Sequence, residues 1–423
     1  MKGGESMKMQ LSERQIIAKR DPRFNQLDTL CIKAKNLYNK ALYLTRQSLF
    51  DENFQFADNF ERQLRNDQEY PDYRNMLDMA SAQQVLRQVT RTWKSYFAAH
   101  RDWKKHPEKY SGEPKLPKYL KSDSRYPFTF TAGPNSRDYS AVLLSDGSFK
   151  LPRKFNGLKI CTDCFHKEGF QRVNEIRIIS RKYQIEIFVI YTVDVPEIKV
   201  DNSRYLSIDI GLDNLAACVT NDQSLQPFVI NGKSLKSVNQ YYNKKSAHLR
   251  SEAKLKNNLY LTHRIERLAE KRNRKIEDYL HCASRHIVDY CVENNVNTVI
   301  IGKNVRWKDS IKLGRKTNQE FVQIPHARFI HMLEYKGQLA GIAVRTVEES
   351  YTSGTSFLDG EYPQKEFYNR NRRIKRGLFK SNNGLLINAD INGAHQIMNK
   401  VFPNAFEQWD RGRVVSPVRI SFS

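Results

Sequence analysis

Two aspartates sit where a carboxylate is unfavourable unless something compensates it. In YLSIDIGLDNLAACVT (205–220) an apolar, strand-like run meets Asp209, passes Gly211 and continues into a second such run. Aspartate is disfavoured inside strands, and burying it is costly unless it is paired or faces a cation. Far downstream, LLINADINGAHQIMNK (385–400) places Asp390 at the start of a helical pattern. Gly393 and Ala394 follow it and are small enough for close packing. Two acids from distant segments suit Mg²⁺, a hard ion held by few carboxylates together with waters and phosphate oxygens. Phosphodiester hydrolysis with two ions about 4 Å apart asks for a third acid. Taken singly, Asp209 is equally compatible with a turn and Asp390 with a helix cap. The ordered pair is the informative feature.

These acids need a sheet to hold them. From Asp201 onward strand-like runs alternate with long helical segments, the pattern of an α/β layer fold. Tyr241 to Asn294 reads as one long helical stretch, with Ile276, Leu280, Ala283, Ile287 and Tyr290 on its buried face. Upstream, Leu27, Leu30, Ala34, Leu37, Ala41 and Leu44 recur at helical spacing. A second helical stripe runs from Tyr73 to Trp103 through Met76, Met79, Ala82, Leu86, Val89, Trp93 and Phe97. Together these predict a helical domain. KKHPEKYSGEPKLPKYLKSDS (104–124) reads as a loop or boundary. Residues 125–197 then alternate in short runs, with IRIIS and YQIEIFVIYTV forming a hairpin about Arg181-Lys182. They predict an antiparallel barrel or sandwich, joined by a strand from the first twenty residues.

The 423 residues carry 70 Lys and Arg against 46 Asp and Glu, a net charge of +24. At about 150 residues per domain the length suggests about three domains. A hydrophobic content of 39% with 22 Phe and 21 Tyr excludes a disordered chain. No run approaches the roughly 18 apolar residues of a membrane helix, and MKGGESMKMQ lacks the apolar centre of a signal peptide, so no membrane partner is expected. Six cysteines in so long a chain make no disulfide framework and suggest a reducing cytoplasm. Cys161-Thr-Asp-Cys164 has no partner pair and reads as two strand or turn cysteines, while Cys218, Cys282 and Cys291 read as core. A folded chain this basic answers first to nucleic acid.

Six segments carry a family likeness: SAQQVLRQVTRTWKSYF, YLSIDIGLDN, ERLAEKRNRKIEDYLHCASRHIVDYC, VIIGKNVRWK, SYTSGTSFLDG and NADINGAHQIM. Over nearly its whole length the chain resembles the TnpB (OrfB) family of transposon-associated RNA-guided nucleases, relatives of the compact type V CRISPR effectors. The resemblance implies a multidomain α+β chain. A β-barrel wedge domain (1–20 and 106–200) and a helical recognition domain (21–105) precede an RNase H-like (RuvC) α/β nuclease domain (201–400). A ribbon that binds target nucleic acid is inserted at 350–388, and a tail occupies 401–423. Two Mg²⁺ ions, a guide RNA and target double-stranded DNA with a short flanking motif are also implied. The setting implied is a prokaryotic cytoplasm, with the protein on the nucleoid when DNA is bound.

Asp209 matches the family's first acid and Asp390 its third. The second departs: where the family ends its fourth strand with glutamate, NTVIIGKNVRW has Gly302. The next strand, GIAVRTVEESYTS, ends in Glu348 and Glu349, which alternation puts on opposite faces. One of them is expected to reach across the gap, and with Asp209 and Asp390 to complete the catalytic set. The residues leave both Glu348 and Glu349 open as the second acid, and the expected Mg²⁺ set is Asp209, Glu349 and Asp390.

The ribbon departs too. The family's four zinc cysteines fall at Ser356, Asp359, Ser381 and Gly384, and serine does not replace a thiolate on zinc, so no structural zinc is expected. The ribbon is expected to hold through hairpin hydrogen bonds and packing of Phe357, Leu358, Phe367, Tyr368 and Phe379. Its basic run supplies Arg370, Arg372, Arg373, Lys375 and Arg376 for phosphate contact. Arg264, Arg267, Lys271, Arg272, Arg274 and Lys275 form a second basic group, which the resemblance lays against a guide–target duplex. Gln84, Arg87, Arg91 and Lys94 along one helix edge are further candidates. The expected activity is RNA-guided, Mg²⁺-dependent DNA endonuclease chemistry. The alternative is a nuclease-dead RNA-guided repressor, which Gly302 favours. A transposase using tyrosine lacks the His-hydrophobe-His signature here, and a junction resolvase needs no such long front half.

Overall fold

The computed structural model describes residues 7–155, 157–181, 183–303, 324–375, 377–411 and 416–422. Lys182, the 304–308 end of VIIGKNVRWK, and Arg376 lie outside them. The chain divides into two compact units, Met1–Asp194 and Val195–Ser423.

In the first unit, β1 (Met7–Ala18) is followed by α1 (Phe24–Phe50), the short helices α2 (Glu61–Asn66) and α3 (Asp72–Asn75), and α4 (Met79–Lys105). The stripe predicted on α1 is buried at Leu27, Leu30, Ala34, Leu37 and Ala41, with Leu42 rather than Leu44 completing it. The predicted helix from Tyr73 is broken. Leu77 takes a positive φ of 67°, and Asp78 caps α4, its carboxylate accepting from the Ser81 backbone N–H at 2.9 Å. The strands β2 (Phe128–Thr131), β3 (Val142–Leu143), β4 (Phe149–Lys150), β5 (Phe170–Ser180) and β6 (Gln184–Val195) complete the unit. β5 and β6 form the expected antiparallel hairpin, and the N-terminal strand joins them in the order β1-β6-β5-β2. That order is linear, with β1 and β2 at its edges, so the pairing among the described residues is that of an open sheet and not of a closed barrel.

The second unit holds a six-stranded sheet. β7 (Tyr205–Ile210), β8 (Asn214–Thr220) and β9 (Phe228–Asn231) form an antiparallel meander. After α5 (Lys233–Asn257) and α6 (His263–Glu293), β10 (Thr298–Gly302) lies parallel to β7. α7 (His326–Leu339) then leads to β11 (Ala343–Val347), parallel to β10. The single helix expected over 241–294 is interrupted because Asn258 adopts a left-handed conformation and ends α5. Cys282, expected in the core, is exposed; Cys218 and Cys291 are buried.

Strand alternation gives the sheet two apolar faces. Leu206, Ile208, Val299 and Ile301 pack on Ile276, Leu280, Ile287, Phe329 and Leu333 of α6 and α7. Tyr205, Ala217, Val219 and Ile300 pack on Ala394, Ile397 and Met398. The predicted tail is part of the sheet, since its last strand pairs parallel with β9 over Val418–Ile420.

The ribbon forms a small antiparallel sheet of β12 (Arg373–Lys375), β13 (Leu378–Lys380) and β14 (Leu386–Asn388), leading directly into α8 (Ala389–Val401). At Ser356, Asp359 and Ser381 hydrogen bonds close the turns of the ribbon. The Asp359 N–H donates to Ser356 Oγ at 3.3 Å, the Asp359 carboxylate accepts from the Asn382 N–H at 2.9 Å, and Ser381 Oγ accepts from the Leu385 N–H at 3.0 Å. Phe357 and Phe379 are buried in the core beneath and Leu358 packs against it, whereas Phe367 and Tyr368, expected to pack there, lie outside it and are 40% exposed. Phe379→Ala should therefore cost about 3–5 kcal/mol in denaturant unfolding. A zinc chelator should leave the melting temperature unchanged, and a fall on chelation would show that a metal still holds the ribbon.

Candidate acidic site

The sheet's alternation decides which acid faces which helix. Tyr205 packs on the α8 side, and Ser207 donates its hydroxyl to the Ala394 carbonyl of α8 at 2.7 Å. Asp209, two residues further along β7, points the same way. On β10, Ile300 faces α8 and so does Gly302. On β11, Val347 packs against the same face and lies beside Gly302, so Glu349 shares the parity of Asp209 while Glu348 does not.

The side chains bear this out. A Cβ placed on Gly302 would fall 3.1 Å from Glu349 Oε2 and would strike Ile397. Ile397 and, beside it, the Glu349 carboxylate thus crowd the space that a side chain at 302 would enter. Glu348 is exposed, and its backbone carbonyl accepts from Lys400 Nζ at 2.8 Å. Of the two adjacent glutamates, only Glu349 reaches the cluster.

Asp390 sits in the first turn of α8, but it is not the cap. Asn388 caps the helix, its side-chain oxygen accepting from the Asp390 and Ile391 N–H groups at 3.0 and 3.2 Å. The Asp390 carboxylate is thereby left for other partners: Asn214 Nδ2 donates to it at 2.7 Å, and Arg373 Nη2 lies 3.5 Å away. Gly393, one turn later, leaves the Asp209 carboxylate its room: a Cβ there would run into Asp209 Oδ2 and force that carboxylate to move. Asn214 and Gly393 are contacts that the sequence reading did not single out as site residues. The last residue of the DIGLDN segment was the available signal for Asn214.

Electrostatically the three acids form one site. Burial pushes the Asp209 carboxyl well above its usual range, the Asp390 and Glu349 charges raise it further, and Arg373 opposes them. Burial alone lifts Glu349 from 4.5 to about 7. Its Oε2 is buried without a hydrogen-bond partner among the described residues, an arrangement unfavourable unless a cation or proton compensates it. The donors are all carboxylate oxygens, which suits a hard divalent ion. Among the described residues no group of three His, Cys, Asp or Glu side chains is gathered closely enough to hold an ion unaided. Waters or phosphate oxygens would have to complete the shell, as is usual for Mg²⁺.

The basic candidates divide. Arg372 forms a nearly buried double ion pair with Glu361, at 2.5 and 2.8 Å, and so holds the ribbon together. Arg370 and Lys375 are exposed, and Arg373 turns toward the acids. On α6, Arg264, Lys271 and Lys275 are exposed, as are Arg267 and Arg274, whereas Arg272 is half-buried and donates to Asn239 Oδ1 at 2.7 Å. In the first unit Arg87, Arg91 and Lys94 line one exposed edge of α4. Gln84 and Arg91 border a cavity of about 410 Å³ with Gln88, Glu175 and Arg177. No helix among the described residues is long and apolar enough to cross a membrane.

Comparison with known proteins meets the resemblance in two segments. Residues 188–308, which contain Asp209, match the OrfB_IS605 family, described as a probable transposase. Residues 326–397, which contain Glu349 and Asp390, match the Cas12f1-like TNB domain. The CRISPR-associated endodeoxyribonuclease Cas12f2 of Micrarchaeota archaeon (strain CG1_02_47_40) is 26% identical over 296 residues, 62% of this chain. The match spans 52% of that relative, about half its length. A cryo-EM structure of a Cas12f1–sgRNA–target DNA complex superposes with a TM-score of 0.55 at 18% identity, covering 89% of this chain and 82% of its own. That likeness is one of fold. The chain thus resembles TnpB (OrfB) proteins and their compact type V relatives in the two segments that carry the three acids.

The raised Glu349 pKa has a consequence for stability. Without bound metal, the folded protein keeps a proton on Glu349 up to about pH 7, while the unfolded chain releases it near 4.5. Stability from this group is full below 4.5 and is lost as pH rises through 7, by on the order of 3 kcal/mol. In EDTA, Glu349→Gln should melt higher than wild type at pH 8, and the difference should vanish near pH 4.5. Equal melting at pH 8 would contradict the buried, uncompensated carboxylate.

Proposed function

We propose that the chain is an RNA-guided DNA endonuclease that hydrolyses phosphodiester bonds at Asp209, Glu349 and Asp390. The observation that carries this reading is the placement of Glu349 over Gly302, within the electrostatic reach of Asp209. The sheet order, with β7 central, β10 and β11 parallel beyond it and β8 and β9 antiparallel on the other side, supports an RNase H-like nuclease unit. The relatives point the same way: one is named an endodeoxyribonuclease, and another is seen in complex with guide RNA and target DNA. A guide RNA and target double-stranded DNA with a short flanking motif are therefore the proposed partners.

Asp209, Glu349 and Asp390 would hold Mg²⁺, which when bound lowers the pKa of water and offsets charge on a phosphoryl oxygen. The protein's own residues prepare for it. Asn214 fixes the Asp390 carboxylate, Gly393 leaves Asp209 its room, and Asn388 relieves Asp390 of capping. Arg373 stands beside the acids, where it can exchange a carboxylate for a phosphate oxygen. The exposed cations of α6 and the ribbon offer backbone contacts, which supply affinity without reading sequence. The rival reading, a nuclease-dead RNA-guided repressor, rests on Gly302, and the position of Glu349 weighs against it.

Asp209→Ala is expected to abolish Mg²⁺-dependent cleavage of guide-matched plasmid while RNA-dependent DNA binding persists. Glu349→Gln should reduce cleavage by at least about 100-fold, the scale of losing one electrostatic catalytic contact. Glu348→Gln should cleave like wild type. Cleavage that survives Asp209→Ala would sink the mechanism, and equal activity of the two glutamine variants would place the second acid elsewhere.

A further inference from the structure

The turn between α5 and α6 breaks the usual rule for connections. Loops joining surface helices are polar because water must solvate them. Here the connection reads Asn258-Leu259-Tyr260-Leu261-Thr262, with Leu255 one turn earlier on α5. The structure exposes all four large side chains: Leu255 at 87%, Leu259 at 49%, Tyr260 at 67% and Leu261 at 58%. Single exposed leucines need no explanation, but four large apolar side chains within seven residues form a patch that does. Local geometry does not demand them. The left-handed Asn258 ends α5, with its N–H bonded to the Lys254 carbonyl at 3.1 Å, and this turn would form equally with serine or lysine on either side.

The surroundings of the patch identify what it fits. Between Lys244 and Lys275 the hairpin carries eleven Lys and Arg against three Glu. Lys254 and Lys256 are exposed beside the tip, and Lys254 Nζ lies 5.9 Å from the centre of the Tyr260 ring. Exposed Arg264, Lys271 and Lys275 continue along one face of α6 away from it. An aromatic and aliphatic tip ringed by cations matches one partner chemistry well: a flat base face flanked by phosphates. A second copy of the chain would instead bring two strongly positive tips together, which like-charge repulsion opposes.

We propose that the α5–α6 tip is a base-stacking platform, in which Tyr260, braced by Leu259 and Leu261, covers the terminal base pair of a bound RNA–DNA duplex while the flanking lysines and arginines hold its backbone. This rests on the nucleic-acid-binding reading above and adds to it a contact that fixes where a duplex ends on the protein.

The test uses the full chain and a blunt RNA–DNA heteroduplex of about 20 base pairs, with 2-aminopurine at its terminal DNA position. Wild type should quench the terminal fluorophore on binding, but not a fluorophore placed mid-duplex. Tyr260→Phe should keep the quenching. Tyr260→Ala/Leu261→Ala should lose it and bind the duplex about 5- to 100-fold more weakly, the range for a lost base–aromatic stack. Its salt dependence should stay unchanged, since no phosphate contact is removed. Both side chains are exposed, and an unchanged melting temperature would confirm an intact fold. Equal quenching and affinity in the double variant would overturn the platform while leaving the nuclease reading intact. So would a double variant whose only change is a lower mass in light scattering, marking a self-association surface, or lost binding to phosphatidylserine vesicles, marking a lipid contact. Wild-type protein that binds no heteroduplex at all would sink both readings.

Discussion

Burial first, and then the Asp390 and Glu349 charges, push the Asp209 carboxyl well above its usual range, and the second unit holds it in place against that cost. Ordinary folding would separate such groups or pair each with a base. Here one arginine, Arg373, opposes the excess for Asp209, and Glu349 Oε2 has no partner among the described residues. The sheet enforces the proximity: parallel pairing of β7, β10 and β11 brings the strand ends to one edge, and α8 is pulled against them through Ser207 and the bare face of Gly393. Apolar packing on both faces supplies the stability that the acid cluster forfeits. The sheet and α8 thus keep close together carboxyl groups that, when ionised, oppose one another.

Much of this was legible in the residues because the signals were periodic. The α1 stripe, the β5–β6 hairpin and the alternation of strands and helices after Asp201 follow from apolar spacing, and the structure has them. Alternation also implied that Glu348 and Glu349 face opposite ways. Choosing between them required the neighbouring strand's register, which no local pattern contains. The failures have a common source, in conformations set by single residues. Leu77 and Asn258 in the left-handed region split two helices whose apolar spacing runs on uninterrupted. Phe367 and Tyr368 look like core by composition, yet each stays 40% exposed, while Phe357 and Phe379 are buried and Leu358 packs against their cluster. The last strand was read as tail because three residues give too short a period to register.

The positive charge of the chain likewise separates by role once partners are visible. Arg372 and Arg125 are held in bidentate pairs with Glu361 and Asp28 and act as structural clamps. Lys336 is buried and donates to the His281 carbonyl and Ser284 Oγ, with burial drawing its pKa down to about 8. Cations such as Arg264, Lys271, Lys275 and Lys375 stay in water on the surface, where they keep the counterions that a polyanion would release. Composition alone weights all of these equally, whereas burial and pairing separate those that hold the fold from those available to a ligand.

Asn392 and Gly393 form an asparagine–glycine step, the sequence most prone to deamidation through a cyclic imide, because glycine leaves the attacking backbone nitrogen unhindered. In this fold the step lies inside α8, and the fully buried Asn392 amide is tethered at both ends: it donates to the Thr355 carbonyl at 2.8 Å and accepts from the Phe357 N–H at 3.0 Å. Cyclisation needs that amide released and the helix locally unwound. Chemical ageing at this one bond is therefore tied to how often the ribbon lifts from the helix. Were it to occur, it would leave a new negative charge one residue from the glycine that makes room for Asp209.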